Sequence, residues 1–371
     1  MRVAVLAPTA APALTLEAAG TVGGAERQVA VLGAVLKDRG HEVNIMVAGD
    51  GGSPRDLPAG RVWPRYPLGG LPLLKLIHPK STALRRFLRE CRAEVLLQRG
   101  AAELTGLGAF ACRRLGIPFV FMVASDRDLE PGREIVPHPQ DRLLFRAGLR
   151  RAAAVVAQTE AQVVRLRERF GIDATRISSF PAGELPDEPM RPEGEAVLWG
   201  ANLRPVKRPE WLLELAARFP AVPFIAYGGA APGHEAYARE VAARLDAAPN
   251  IEYLGPVAPG DLPGLFRRAR VLLNTSRSEG FPNTFLEAWR HGVAVLATVD
   301  PDGSLAGRGL GAAAGDLTGL EAALDSLLAE DPADRAARAQ RALSFLREHH
   351  DPARLADRWE ALLDGLARGP A

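Results

Sequence analysis

A chain of 371 residues has room for two domains, each with a core of its own. Its formal charge is only +2, and its basic residues are not interleaved with stacking aromatics, which argues against nucleic acid as a partner. Two cysteines, Cys91 and Cys112, supply no disulfide framework, and no window approaches the roughly 18 uninterrupted apolar residues of a membrane span, so a cytoplasmic protein is expected.

In chain order, Met-Arg-Val-Ala-Val-Leu-Ala-Pro is too short an apolar run for a secretion signal and predicts a strand over Val3 to Leu6. Ala25 to Asp38 carries Val29, Leu32 and Leu36 on one helical face, and Gly40 ends that helix. Further strands are predicted at Glu42 to Val47, Val95 to Leu97, Phe119 to Val123 and Val155 to Ala157. The apolar, proline-rich stretch Trp63 to Ile77 reads as a loop with two open uses: contact with a membrane or a lipid-bearing ligand, or burial between elements. Phe180 to Glu195, rich in Pro, Glu and Gly, reads as a linker.

The second half repeats the alternation. Strands are predicted at Ala196 to Trp199, Phe224 to Tyr227, Ile251 to Leu254, Val271 to Thr275 and Ala294 to Thr298. Helices are predicted at Pro209 to Phe219, His234 to Asp246 and Asp261 to Ala269, with another starting near Pro282 and three more after Leu317. Such alternation implies α/β architecture with parallel sheets, because right-handed crossovers need the intervening helix. The division expected is 1–182, a linker at 183–195, a second domain at 196–350 and a final helix within 351–371.

The most informative stretch is Ser276-Arg277-Ser278-Glu279-Gly280-Phe281-Pro282-Asn283-Thr284-Phe285-Leu286-Glu287-Ala288. It follows an apolar strand, turns at a glycine and enters a helix. A helix N-terminus offers unpaired N–H groups and a positive dipole end, suited to an anionic or hydroxyl-rich ligand. Glu279 in the turn and Glu287 one turn into the helix can hold hydroxyls at two separated points of one ligand. A second motif, Gly200-Ala201-Asn202-Leu203-Arg204-Pro205-Val206-Lys207-Arg208-Pro209, follows the first strand of the second half. Lysine occurs only at positions 37, 75, 80 and 207, so Lys207 is not a product of composition.

These residues resemble the Glu-x7-Glu signature of retaining glycosyltransferases with the GT-B fold, family four. The resemblance implies two Rossmann-like, doubly wound parallel-sheet domains facing a central cleft, with the last helix crossing back to the first domain. It implies that Glu279 faces a donor sugar and Glu287 binds the ribose of its nucleotide, with Gly280, Phe281, Pro282 and Asn283 lining the donor. Arg204 and Lys207 take the part of diphosphate ligands, and a fixed Arg and Lys can stabilise the departing diphosphate without a metal. Here the sequence departs from the commonest form, which has Gly-Arg followed by Lys five residues on; an Asn-x-Arg-x-x-Lys variant is similar. Arg208 reads as a bystander.

Gly23-Gly24-Ala25-Glu26-Arg27 resembles the family's Gly-Gly-x-Glu loop, in which paired glycines let the backbone approach a phosphate or sugar. No Gly-x-Gly-x-x-Gly follows Leu6, which argues against a nicotinamide-dependent dehydrogenase. Ser125-Asp126-Arg127-Asp128 stands where many relatives carry a histidine, and Asp126 becomes the candidate for a sugar-hydroxyl or acceptor-orienting role. Asp126-x-Asp128 also resembles the metal-binding Asp-x-Asp of the other major glycosyltransferase fold. The Arg/Lys pair already supplies positive charge, so no metal and no cofactor are expected, and the seven histidines show no zinc spacing.

The partners expected are a nucleotide-sugar donor, UDP- or GDP-linked, and a carbohydrate or lipid-linked acceptor, in glycan, polysaccharide or glycolipid biosynthesis. Residues 1–190 carry 26 basic against 20 acidic side chains, and residues 191–371 carry 20 against 24. The arginines at 85, 86, 89 and 92, from Arg142 to Arg151 and from Arg165 to Arg169 are open to two readings. They are solvated helix faces, or they attract an anionic acceptor or the inner face of a membrane. Two alternatives stand beside the transferase. A sugar-nucleotide 2-epimerase of the same fold would draw acid–base groups from Asp126, Asp128 or Glu103. A non-catalytic sugar-nucleotide-binding protein would need none.

Overall fold

The computed structural model describes residues 1–14, 23–49, 51–69, 77–130, 136, 138–191 and 193–368. It holds two compact units. One takes in the first residues, Gly24–Phe180 and the chain from Pro352 onward; the other is Pro181–Asp351.

The first unit is built on β1 (Arg2–Leu6), β2 (Glu42–Ala48), β3 (Arg55–Leu57), β4 (Gly60–Tyr66), β5 (Val95–Arg99), β6 (Phe119–Met122), β7 (Ala154–Ala157) and β8 (Thr175–Arg176). Their order across the sheet is β3-β4-β2-β1-β5-β6-β7-β8, and only β3 runs antiparallel to its neighbour. The helices are α1 (Ala11–Leu14), α2 (Gly24–Asp38), α3 (Thr82–Glu90), α4 (Glu103–Leu115), α5 (Pro139–Leu149) and α6 (Glu160–Phe170). The central strands read as unbroken apolar runs because both faces are covered. Phe119 and Phe121 enter one core while Val120 and Met122 enter the other, as the two-residue period of a strand requires.

The second unit contains β9 (Ala196–Gly200), β10 (Phe224–Tyr227), β11 (Ile251–Tyr253), β12 (Ala269–Asn274), β13 (Ala294–Ala297) and β14 (Gly311–Ala313), in the order β11-β10-β9-β12-β13-β14, all parallel. Its helices are α7 (Pro209–Arg218), α8 (Glu235–Ala247), α9 (Leu262–Arg268), α10 (Asn283–Arg290), α11 (Leu317–Ala329) and α12 (Pro332–His349). The final helix, α13 (Pro352–Ala367), buries Leu355, Trp359 and Leu363 at four-residue spacing in the first unit's core, beside Val3, Leu32 and Leu36.

One sequence expectation is corrected. The start of the Trp63 to Ile77 segment is not loop but strand, since Trp63 to Tyr66 belong to β4. Pro64 argues against a strand, yet a register shift after Val47 sets Pro64 opposite Val47 and Tyr66 opposite Ala48, which accommodates it. Trp63 donates to Asn44 Oδ1 at 2.9 Å and meets Phe87 edge-on at 5.7 Å. Residues 70–76 of the segment lie outside the described residues. Cys91 and Cys112 are free and buried, and no helix among the described residues is long and apolar enough to cross a membrane.

Each sheet reverses its winding at one place. In the first it lies between β1 and β5, in the second between β9 and β12. In open α/β sheets, ligands bind outside the carboxyl ends of the strands at such switch points.

Candidate active site

The second unit's switch point is where both of its motifs meet. β9 runs out at Gly200 and β12 at Asn274, and these strands are hydrogen-bonded neighbours. The chain can leave β9 as it does because Gly200 and Gly228 carry no side chains. A Cβ on Gly200 would lie 2.1 Å from the Tyr227 ring; one on Gly228, at φ +135°, would lie 1.8 Å from the Ala201 carbonyl oxygen. Leu203 then bridges to Ala230, and a single 3₁₀ turn, Pro205–Lys207, carries the cations.

Lys207 Nζ donates to Glu279 Oε1, across 72 residues of sequence. The two side chains retain only 14% and 16% exposure, so solvent screens the pair weakly. Burial by itself would raise the Glu279 carboxyl. The Lys207 ammonium, the Ser276 hydroxyl and the Arg204 charge outweigh it and hold the group below its ordinary value, ionised. Arg204 is itself exposed at the head of the 3₁₀ turn. Three sequence-derived residues are thus brought into one electrostatic cluster.

Beyond Glu279 the chain enters α10. Pro282 caps the helix from outside, at φ −65° and ψ 124°, rather than occupying its first turn; the helical residues begin at Asn283. Gly280, Phe281 and Pro282 are buried, and the Phe281 ring packs against Trp289 and His350. What Phe281 leaves for a ligand is therefore its backbone. Glu287 is 5% exposed, one turn into α10. Its carbonyl faces His291 Nδ1 at 2.8 Å, and burial lowers the His291 imidazole.

Arg208 is tied into the fold. It sits in the left-handed region at φ +48° and ψ +56°, donates through Nε to the Thr275 carbonyl at 2.6 Å, and covers Trp211 at 3.7 Å from the ring centroid. Sequence reasoning passed over both Arg208 and Thr275, since nothing in one sequence marks an arginine as left-handed.

The remaining candidates lie elsewhere. Gly23 precedes α2 and Gly24 is its first residue, exposed. Two residues on, Glu26 accepts from Thr9 Oγ1 at 2.8 Å. Asp126 opens a 3₁₀ turn after β6, where Oδ1 accepts from Gln162 Nε2 at 2.9 Å and Oδ2 lies 2.7 Å from Arg165. Asp128 does not stand beside it as a second ligand-facing carboxylate. Fully buried, it closes a capping box by accepting from the Ala124 and Ser125 amides at 3.0 and 3.1 Å. Burial pushes its pKa up to about 6 against those amides and the nearby Arg99. Glu103 is paired with Lys80 at 2.7 Å. Among the described residues no group of three or more His, Cys, Asp or Glu is placed to hold a metal ion.

Comparison with known proteins adds identity to this geometry. The model described as Glycosyltransferase Family 4 matches residues 22–183, and that described as Glycosyl transferases group 1 matches residues 194–330. A D-inositol 3-phosphate glycosyltransferase of Acidothermus cellulolyticus is 27% identical over 341 residues, covering 80% of this chain and 75% of that protein. Among solved structures, a sucrose-phosphate synthase from Thermosynechococcus elongatus is similar with a TM-score of 0.79 at 16% identity, over 99% of both chains. An α,α-trehalose-phosphate synthase (UDP-forming) from Burkholderia vietnamiensis gives 0.66 at 15% identity, again over 99% of both. These likenesses show the fold, and the two family models together take in well over half of the residues. The chain belongs to the group 1 glycosyltransferases of family four, with two Rossmann-like GT-B domains.

Proposed function

We propose that this glycosyltransferase moves a sugar from a nucleoside diphosphate donor to an acceptor hydroxyl, with retention at the anomeric carbon and without a metal. The observation that carries this reading is the ionised Lys207–Glu279 pair at the β9/β12 switch point, with Arg204 beside it. Arg204 and Lys207 neutralise the diphosphate, and as the glycosidic bond breaks the growing charge on its oxygen falls to them. Glu279, held by Lys207, accepts from a hydroxyl of the sugar. Glu287 takes the ribose, and the backbone from Gly280 to Asn283 lines the donor. The departing diphosphate oxygen receives the acceptor proton on the face where the acceptor attacks, so no covalent nucleophile is required. Gly23, Gly24 and Asp126 serve the acceptor side.

The likeness to a UDP-forming trehalose-phosphate synthase favours a UDP-linked donor, and the inositol-phosphate and sucrose-phosphate relatives add phosphorylated sugars and polyols to the acceptors worth testing. Arg86, Arg89 and Arg92, exposed on and just after α3, favour an acceptor that carries negative charge or sits at an anionic membrane surface. Transfer is favoured over 2-epimerisation because two of the carboxylates an epimerase would recruit are engaged: Glu103 by Lys80 and Asp128 by its amides.

A thermal-shift panel of UDP-, GDP- and ADP-sugars, followed by transfer assays in chelator, tests the reading. Stabilisation by one class, chelator-resistant transfer and an anomeric NMR signal of unchanged configuration are expected. Inverted product or activity restored only by a divalent ion overturns the corresponding element. Epimerised donor in the absence of acceptor overturns transfer itself.

A further inference from the structure

The loop bearing Lys207 is held by more than the Lys207 ammonium. It is pinned to the β12–α10 turn at three points. The Val206 carbonyl accepts from the Arg277 amide at 2.8 Å, and the Lys207 carbonyl accepts from Thr275 Oγ1 at 2.6 Å. Arg208 returns the contact, donating to the Thr275 carbonyl at 2.6 Å and to the Ser276 carbonyl at 3.4 Å. Thr275 and Ser276 are themselves anchored: Trp199 Nε1 donates to Thr275 Oγ1 at 2.9 Å, the Ser276 amide donates to Asn274 Oδ1 at 2.9 Å, and Thr298 Oγ1 donates to the Ser276 carbonyl at 2.5 Å. Ser276 in turn hydrogen-bonds Glu279. One connected set of bonds therefore runs from Arg208 through Thr275 and Ser276 to the carboxylate that Lys207 meets.

Arg208 holds its place at a cost. A non-glycine side chain in the left-handed region is strained, and glycine would relax it. The guanidinium is half-buried against carbonyls and the Trp211 ring, and burial with the neighbouring Arg277 charge lowers its pKa. A strained, partly desolvated cation next to the Lys207–Glu279 pair needs a compensating role, and the hydrogen bonds supply one.

We propose that Arg208 is a positioning residue. It clamps the 201–208 loop onto the carboxyl end of β12 and so sets the Lys207 ammonium against Glu279 before any donor arrives. This rests on the donor-site reading above. Arg208 touches neither reacting group; it acts through Lys207, and its loss is felt where Lys207 meets charge.

Arg208→Gly separates this role from a backbone one. If Arg208 served the turn alone, glycine at φ +48° would leave stability and catalysis unchanged or improved. The clamp instead requires at least about a tenfold fall in kcat/KM for the nucleotide-sugar donor, with KM for the acceptor unmoved. It also requires the Glu279 carboxyl, followed by ¹³C NMR in the ligand-free protein, to titrate higher than in the wild type. Arg208→Lys, which keeps a cation able to reach one carbonyl, should recover part of both. Wild-type kcat/KM with an unchanged Glu279 titration in Arg208→Gly overturns the proposal. If that variant does not fold, Arg208→Lys decides alone: a Glu279 titration above the wild-type one supports the clamp and a wild-type one overturns it. A wild-type protein that turns over no nucleotide sugar defeats the donor-site reading, while the titration still judges the clamp.

Discussion

At the residue scale, two carboxylates make opposite demands on pH. Glu279 is held below its ordinary value by Lys207, Ser276 and Arg204 against its burial. A depressed carboxyl contributes stability that is present above its unfolded pKa, about 4.5, and is lost as pH falls through the lower folded value. Asp128 is the reverse. Burial raises its carboxyl to about 6, so the folded protein binds a proton more readily than the unfolded chain does. Between about pH 4 and 6 the stability it contributes should rise as pH falls, by on the order of 1 kcal/mol per pH unit. Denaturant melts across this range should show the Asp128 limb flattened in Asp128→Asn, whose amide oxygen can still accept from Ala124 and Ser125. The limb below pH 4.5 should flatten in Glu279→Gln, and the reverse pairing would show the two environments wrongly assigned. Lys207→Ala removes a charge-assisted contact and should lower turnover at least about tenfold in a folded protein, by steady-state assay.

At the element scale, strands buried on both faces announce themselves. Val95-Leu96-Leu97 and Phe119-Val120-Phe121 are apolar without a break because each sheet is covered twice, and both were legible in the sequence. Glu279-Gly280-Phe281-Pro282-Asn283 was legible as a turn entering a helix for the same local reasons. β4 was not, because Pro64 removes an amide and only the partner strand shows how the register absorbs it. Nor was the lock around Thr275: its bonds join residues some 70 positions apart, and each partner taken singly is an ordinary Thr, Arg or Trp. Gly228 probes this level. A methyl group there would strike the Ala201 carbonyl, so Gly228→Ala should distort the loop that carries Lys207. A lower melting temperature together with weaker donor binding is expected; unaltered donor affinity would show that the loop does not depend on this close approach.

At the scale of the whole molecule, the first unit's core is completed from both sides of the second in sequence. Trp359 on α13 is 3% exposed among residues from β1 and α2, and Trp359→Ala should cost about 3–5 kcal/mol, read from denaturant melts. The arrangement bears on synthesis. A ribosome delivers Gly24–Phe180 early, yet Leu355, Trp359 and Leu363 emerge only after all of Pro181–Asp351 has been translated. Until then Val3, Leu32 and Leu36 lack their cover, while the later segment already has every strand of its own sheet. The usual order, with the N-terminal domain maturing first during translation, is therefore expected to be altered here, the first core closing only after α13 has emerged. Nascent chains stalled near Asp351 should present a greasy, chaperone-attracting surface that vanishes once α13 is released.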